Sequence, residues 1–178
     1  MEVVLQECIV LSGQLLDAGV STGRNCAFYP ADAIVSGIDA SPAMLALAHR
    51  RCRTVSAAGR LYRMDVTELE FPAGSFDAAV ASFLFCVLPD HLQAPGLREL
   101  GRVVRPGGLI RLLEYVRPHG TFKRIVSMIW QPWIAWAYGA SFDRGTEKHI
   151  AASGLELVES RYVVEDLVKL ISARVPAH

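Results

Sequence analysis

The stretch LLDAGVSTGRN, residues 15–25, decides the fold of this chain. An apolar pair and an acidic residue precede two glycines spaced four apart, which is typical of a buried strand that runs into a glycine loop and then a helix. Gly19 would allow a tight turn close to a ligand, and Gly23 would let the helix pack against the strand. The loop reads G-x-S-x-G, so Ser21 stands where nucleotide-binding loops often carry a further glycine. The stretch therefore predicts a nucleotide-binding turn with one unusual position.

The composition indicates one globular domain over residues 1–178. Apolar residues make up 52% of the chain and charged residues 20%, and 178 residues can bury a substantial core. The 18 basic and 18 acidic residues balance, so no broad positive surface is available to nucleic acid. We therefore predict no nucleic-acid partner.

Four cysteines lie far apart in the sequence, at Cys8, Cys26, Cys52 and Cys86. They form no C-x-x-C pair, so we predict no metal site and four reduced thiols in a cytoplasmic protein. Residues 1–13 carry an acid at position 2 and no basic run, which does not fit a signal peptide. The expected localisation is cytoplasmic, with peripheral contact at the inner membrane surface as an addition.

Short apolar segments alternate with helical segments along the chain. Apolar runs bounded by Gly, Asp or Pro predict strands at residues 14–19, 33–39, 59–65, 76–83 and 108–116, and two closing strands at 155–164 and 166–175. Helices are predicted at residues 41–52, 90–104 and 146–154. Ser41 would cap the first of these helices, and Pro42 would lie in its first turn. This order predicts an α/β fold, a doubly wound Rossmann-like and mostly parallel seven-stranded sheet with helices on both faces.

Residues 125–142, IVSMIWQPWIAWAYGASF, carry no charge over nearly the length that a bilayer span needs. Gln131, Pro132 and Gly139 interrupt this segment, and its tryptophans and tyrosine favour a membrane interface over the hydrocarbon centre. We therefore predict no membrane span here.

Acidic residues end the first three predicted strands. Asp39 lies roughly 20 residues beyond Gly19, where a carboxylate can accept hydrogen bonds from both ribose hydroxyls of a nucleoside. Asp65 ends the third strand, where it can accept the amino group of an adenine. Capping of a nearby helix or turn is the alternative role for each. Together with Asp17, these acids at successive strand ends favour one bound nucleoside.

These motifs resemble those of the class I S-adenosylmethionine-dependent methyltransferases. LLDAGVSTG is similar to their first motif, GIDAS to the acidic motif that follows, MDVTELEFPAGSFDAAVAS to the adenine-edge segment, and ELGRVVRPGGLIRLLEYV to the turn before the fifth strand. The order and spacing match over residues 15–116. The segments YPADAIVSGIDASPAML, FLFCVLPD and YGASFDRGTEKHI look most like bacterial phosphatidylethanolamine N-methyltransferases, quinone-biosynthesis methyltransferases and membrane-associated alkyl thiol methyltransferases.

The resemblance implies the cofactor S-adenosylmethionine, with S-adenosylhomocysteine as product. The residues implied to bind it are Asp17, Gly19, Ser21, Thr22, Gly23, Arg24, Asn25, Asp39, Ala40, Met44, Asp65, Val66, Ser82 and Phe83. Those from Asp17 to Asn25 would hold the methionine part, and Asp39 would bind the ribose. Met44, Asp65 and Val66 would surround the adenine. Ser82 and Phe83 would border the methionine amine and the route of the methyl group.

Two positions depart from the family pattern. Ser21 replaces a glycine, which we expect the site to tolerate because some family members carry a small residue there. These families also commonly have N-terminal helices that close over the cofactor, and here that lid is expected to be absent or reduced to residues 1–12, which leaves a more open site.

The sequence indicates fewer residues for binding the methyl acceptor than for binding the cofactor. Methyl transfer from a sulfonium is an in-line displacement that chiefly needs alignment and exclusion of water, so no catalytic residue is assigned. Cys86, Glu114 and Tyr115 follow or end the fourth and fifth predicted strands and are candidates for the acceptor pocket, with core thiol and strand-end polar group as the alternative roles.

Three tryptophans recur at every third position, at Trp130, Trp133 and Trp136, after the basic pair Lys123 and Arg124. A buried helix face is one interpretation. The other is an amphipathic flap over the acceptor pocket that also rests on a lipid surface.

The sequence therefore predicts a methyltransferase for a small apolar or amphipathic acceptor, first a phospholipid amine head group and then a thiol or quinone precursor. Two rivals stay open. One is a nicotinamide-dependent oxidoreductase, which the missing second glycine disfavours. The other is a nucleoside-binding domain without turnover.

Overall fold

The computed structural model describes residue 5, residues 8 and 9, and residues 11–53, 59–116 and 145–177. The predicted flap with Trp130, Trp133 and Trp136 and the uncharged segment 125–142 lie outside the described residues, as does most of the predicted lid.

A seven-stranded sheet organises the described residues. Its strands are β1 (Gln14–Ala18), β2 (Ile34–Asp39), β3 (Arg60–Arg63), β4 (Phe76–Ser82), β5 (Val104–Tyr115), β6 (Glu156–Val164) and β7 (Val168–Arg174). Their order across the sheet is β3-β2-β1-β4-β5-β7-β6. The first five strands pair in parallel, whereas β7 is antiparallel to both β5 and β6. The predicted seven-stranded, mostly parallel sheet is confirmed, and the carboxyl ends of β1 to β5 meet at one edge.

Three α-helices and a short 3-10 helix connect the described strands. They are the 3-10 helix Arg24–Phe28, α1 (Pro42–Cys52), α2 (Asp90–Val103) and α3 (Glu147–Ala152). Ser41 caps α1 as predicted, because its Oγ accepts the Met44 N–H at 3.4 Å and Pro42 begins the helix. Helices on both faces of the sheet stay a prediction.

Several boundaries differ from those predicted, and two of the differences are large. The glycine loop opens a five-residue 3-10 helix rather than an α-helix, and Tyr29, just beyond it, turns back to bond Asp17. At the other boundary α2 ends at Val103, and β5 already begins at Val104. The residues Pro106, Gly107 and Gly108 therefore lie within the strand, where a register shift between Phe76 and Ala78 of β4 accommodates them.

Side chains that alternate along β1 enter two separate core clusters. Leu16 packs with Phe85, Leu97 and other residues of the first cluster, whereas Leu15 packs in the second. Leu5, Cys8 and Ile9 are also buried in that second cluster. Since adjacent residues of a strand point to opposite faces, β1 is covered on both sides.

Cys26 and Cys52 form a disulfide, with their Cα atoms 5.5 Å apart. The prediction of four reduced thiols is therefore wrong for this pair, while Cys8 and Cys86 are free thiols and buried. The two cysteines are 26 residues apart in sequence and meet because the 3-10 helix packs beside α1. Sequence spacing alone could not show this contact.

Candidate active site

The loop after β1 lies against the end of β2. The amides of Gly19 and Val20 both donate to the carbonyl of Ile38, at 2.9 Å each. Gly19 has a φ of +75°, and a Cβ there would come within 3.0 Å of a Leu84 side-chain carbon. The positive φ therefore favours glycine here, as the sequence indicates, and any side chain would also have to displace that of Leu84.

Ser21 joins the loop to the predicted ribose-binding acid. Its N–H donates to Asp39 Oδ2 at 2.9 Å, and its Oγ lies 3.8 Å from Met44 Sδ. Ser21 has a φ of +49°, a left-handed conformation that costs free energy outside glycine. The Ser21 side chain is exposed, so it does not fill the space that the loop encloses.

Asp39 is held at the edge of the sheet by two backbone amides. Besides the bond from Ser21, its Oδ1 accepts the Ser41 N–H at 2.8 Å. A carboxylate oxygen has two acceptor positions, so each Asp39 oxygen keeps one for a ligand hydroxyl. The carboxylate is half-buried and no described cation is paired with it in an ion pair. These features fit the ribose hydroxyls of an adenosyl cofactor.

Asp17 points into the protein rather than towards the sheet edge. It is fully buried, and its carboxylate accepts hydrogen bonds from Asn25 Nδ2 at 3.0 and 3.1 Å and from the Tyr29 hydroxyl. Burial raises the pKa of Asp17 to about 6, and the hydrogen bonds from Tyr29 and Asn25 oppose that rise. This carboxylate therefore fixes the 3-10 helix to β1, and a contact between Asp17 or Asn25 and the methionine part stays a prediction.

The carboxyl end of β4 lies next to this buried group. Ser82 Oγ accepts a hydrogen bond from Asn25 Nδ2 at 3.3 Å. Phe83 has a φ of +59°, and its ring stacks on Tyr115 with the centroids 4.5 Å apart. Ser21 and Phe83 are two of three described non-glycine residues with positive φ, and backbone strain of this kind concentrates at functional sites.

The predicted adenine residues lie beyond the carboxyl ends of β2 and β3, and Asp65 lies two residues after β3 ends at Arg63 rather than ending the strand as predicted. Met44 is half-buried in the first turn of α1, and Val66 is buried in the first core cluster. Asp65 is exposed, and its Oδ1 accepts the N–H and the hydroxyl of Thr67 at 2.8 and 2.7 Å. This turn is the capping role that the sequence left open for Asp65, and binding of an adenine amino group stays a prediction.

The remaining predicted residues lie around the loop. Ala40 and Arg24 are exposed, and Gly23 is buried against Ala48 and Cys52 of α1. Arg51 donates to both the carbonyl and the hydroxyl of Thr22, at 2.9 Å each. The sequence does not indicate a role for Arg51 or Tyr29, because nothing in the spacing of these residues connects them to the loop.

On the acceptor side, Glu114 and Cys86 line a cavity of about 30 Å³ together with Tyr115, Thr146, Glu147 and Ile171. Glu114 Oε1 accepts the N–H of Phe85 at 3.1 Å. Burial raises the pKa of Glu114 to about 8 and that of the Cys86 thiol well above its ordinary value. The candidate acceptor residues of the sequence therefore do come together.

The described part of the chain contains neither a cluster of metal-ligating side chains nor a helix suited to cross a membrane. Over residues 11–53, 59–116 and 145–177, no group of three or more His, Cys, Asp or Glu could hold a metal ion. In the same part, no helix combines the length and apolar character that crossing a membrane requires.

Comparison with known proteins identifies similar sequences and folds. The methyltransferase domain family matches residues 15–108. A phosphatidylethanolamine N-methyltransferase from Cereibacter sphaeroides is 31% identical over 152 residues, which cover 83% of this chain and 72% of that protein. A ubiquinone/menaquinone biosynthesis C-methyltransferase from Geobacter sulfurreducens is 29% identical over 174 residues, covering 93% of this chain and 66% of that protein.

Other relatives match over shorter lengths. The chain spans less than half the length of two further quinone-biosynthesis methyltransferases, at 44% and 47%. Among solved structures, a SAM-dependent methyltransferase from Methanosarcina mazei superimposes with a TM-score of 0.73 at 20% identity, covering 98% of both chains. At that identity the likeness shows the fold alone.

Proposed function

The chain belongs to the S-adenosylmethionine-dependent methyltransferases, whose domain family matches more than half of it, and we propose that its acceptor is the amine of a phospholipid head group. The observation that carries this choice of acceptor is the match to the phosphatidylethanolamine N-methyltransferase. That match extends over 83% of the chain, well beyond the residues 15–108 that the domain family covers.

The chemistry that bound S-adenosylmethionine supplies is a methyl group activated on a positively charged sulfur, which a nucleophilic atom displaces in line. We assign the ribose to Asp39, because its carboxylate is presented at the sheet edge with acceptor positions left over. The amides of Gly19 and Val20 hold the loop on β2 and so keep Asp39 and the loop in one arrangement. Orientation of the two reactants accounts for a large share of the rate in such displacements.

A phospholipid acceptor requires the protein to approach a lipid surface. We propose that the tryptophan stretch, with Trp130, Trp133 and Trp136, makes this peripheral contact, since tryptophan favours membrane interfaces. The protein would then work in the cytoplasm and at the inner surface of the membrane.

A second candidate acceptor is a quinone precursor. The match to the ubiquinone/menaquinone biosynthesis methyltransferase covers 93% of the chain, although at the lower identity of 29%. The alkyl thiol acceptor has no comparable support.

The acceptor is tested by incubating the protein with methyl-deuterated S-adenosylmethionine and one of three acceptors: phosphatidylethanolamine vesicles, a demethylmenaquinone or a long-chain thiol. Mass spectrometry then follows both S-adenosylhomocysteine and the labelled acceptor. We expect labelled N-methylated lipid. Label in the quinone alone would replace the proposed acceptor by the second candidate, and no label in any acceptor would favour a binding domain without turnover.

A further inference from the structure

The side chain of Glu114 has an acceptor position that no described group fills with ordinary hydrogen-bond geometry. Glu114 is only 2% exposed, and Oε1 is bonded to the Phe85 amide, whereas Oε2 has no such partner, although the amide and thiol of Cys86 interact with the carboxylate. A buried polar atom left in this state costs roughly 1 to 3 kcal/mol, so such atoms are rare in folded proteins. The position of Oε2 therefore indicates a site for a hydrogen-bond donor.

The cavity beside Glu114 has the size and charge for a small cationic donor. Its volume of about 30 Å³ has room for a group the size of a water molecule or an ammonium. Glu147 also lines it and pairs with Lys169, whose Nζ lies 3.1 Å from Oε1 and which is not among the residues that line the cavity. The remaining titratable groups at the cavity are Cys86 and Tyr115, neither of which is a cation.

The cavity lies next to the predicted route of the methyl group. Tyr115 forms part of its wall and stacks on Phe83, which directly follows Ser82 at the end of β4. Glu114 is the penultimate residue of β5, so its side chain starts at the same edge of the sheet as Asp39. A head group that reached Glu114 would therefore lie near the cofactor site.

We propose that Glu114 binds the amine of the acceptor and takes one of its protons at Oε2. The N–H bond breaks, an O–H bond forms on the carboxylate, and the electron pair stays on nitrogen, which becomes the nucleophile. The inference rests on the proposed amine acceptor, and it adds the residue that recognises and prepares that amine.

The surroundings of Glu114 suit a proton acceptor of this kind. Burial raises its pKa to about 8, closer to the value of about 10 that is typical of an alkyl ammonium. Glu114 accepts the proton in its ionised form, which predominates above pH 8 in the empty site and which a bound ammonium favours at lower pH. Proton transfer is most effective when the two groups have similar pKa values. An exposed carboxylate would be a much weaker base.

The test uses Glu114→Gln, which keeps the shape of the side chain and an oxygen for the Phe85 amide but removes the proton acceptor. Glu159→Gln is the matched control, because Glu159 lies on β6, is exposed and pairs with Arg161 at 2.8 Å. For phosphatidylethanolamine vesicles we expect kcat/KM to fall about 100-fold in Glu114→Gln and to stay unchanged in the control. Titration with phosphoethanolamine should show binding to wild type that weakens about tenfold in Glu114→Gln.

The outcomes distinguish a failure of the inference about Glu114 from a failure of the proposed phospholipid acceptor. If wild type methylates the lipid and Glu114→Gln does so equally well, the inference is overturned and the acceptor stands. If wild type methylates only a quinone precursor, the acceptor is overturned and the phosphoethanolamine titration decides the inference. Binding that weakens in Glu114→Gln supports the amine site, whereas equal binding by the two proteins, or no binding to wild type, refutes it. Should Glu114→Gln fail to fold, Glu114→Asp withdraws the carboxylate from the cavity and is expected to reduce kcat/KM in the same way.

Discussion

The Asp39 carboxylate accepts hydrogen bonds from the amides of Ser21 and Ser41, at 2.9 and 2.8 Å. Two ligand hydroxyls can still reach its remaining acceptor positions. Replacing Asp39 by alanine should weaken the binding of S-adenosylmethionine by about 1.5 to 3 kcal/mol, since two ribose hydroxyls would lose a charged acceptor. Calorimetric titration measures the change. Asp32→Ala, an exposed acid just before the other end of β2, is the control and should bind as wild type does. Unchanged affinity in folded Asp39→Ala would remove Asp39 from the ribose.

Glu114 also makes the stability of the protein depend on pH. Its folded pKa of about 8 lies above the ordinary carboxyl value of 4.5, so between these values the folded protein holds a proton that the unfolded chain has lost. Stability therefore falls as pH rises through this window. Asp17 acts with the same sign, but only up to its pKa of about 6.

Between pH 6 and pH 8, the contribution of Glu114 to the pH dependence of stability can be measured after most of the contribution of Asp17 has ended. Over this range, the free energy of unfolding of wild type should fall by roughly 2 kcal/mol, because one unit of pKa difference corresponds to about 1.4 kcal/mol. Urea denaturation of wild type and Glu114→Gln at both pH values measures the effect. A Glu114→Gln variant that loses as much stability as wild type would show that another group titrates.

At the scale of single residues, the sequence predicts features that depend on where a residue lies along a strand. It does not predict features that depend on contacts with other side chains. The placement of Asp39 at the end of β2 and the need for glycine at residue 19 follow from local patterns. The inward direction of Asp17 does not, because it depends on Tyr29, twelve residues away, and on Asn25. Only the folded chain brings these three side chains together.

At the scale of elements, strands were easier to predict than the segments between them. Runs of apolar residues set the strands of the parallel sheet, because such strands are buried on both faces. The sequence predicts the start of β5 at residue 108, because Pro106, Gly107 and Gly108 are typical of a turn. In the structure these residues continue the strand through a bulge, and β5 begins at Val104. The 3-10 helix is short because its last turn is followed at once by Tyr29, in extended conformation.

The disulfide between Cys26 and Cys52 joins the 3-10 helix to α1 and closes a loop with a sequence separation of 26 residues. A link of this length should contribute roughly 3 kcal/mol by restricting the unfolded chain. We therefore expect Cys52→Ser to lower the free energy of unfolding by about this amount in urea denaturation without reductant. In the presence of reductant, wild type and Cys52→Ser should become similar. Equal stability of the two proteins without reductant would mean that the bond does not form in solution.

At the scale of the whole molecule, the near-neutral charge makes any attraction to anionic lipid a local effect of Lys123, Arg124 and the neighbouring tryptophans. Binding to anionic vesicles should therefore fall with added salt, which screens the attraction, and fall further in Trp133→Ala. Co-sedimentation at low and high salt measures both, with circular dichroism as the control for folding. Wild type that stays in the supernatant at every lipid composition would place the tryptophans in the core or the acceptor pocket and favour an acceptor free in solution.

The most direct test of the whole account is a calorimetric titration of the wild-type protein with S-adenosylmethionine, and separately with S-adenosylhomocysteine and NADH. The loop at Gly19, the carboxylate of Asp39 and the family of the chain together predict saturable binding of both adenosyl compounds and much weaker binding of NADH. No binding of either adenosyl compound to the folded protein, or tighter binding of NADH, would contradict the site described at the edge of this sheet.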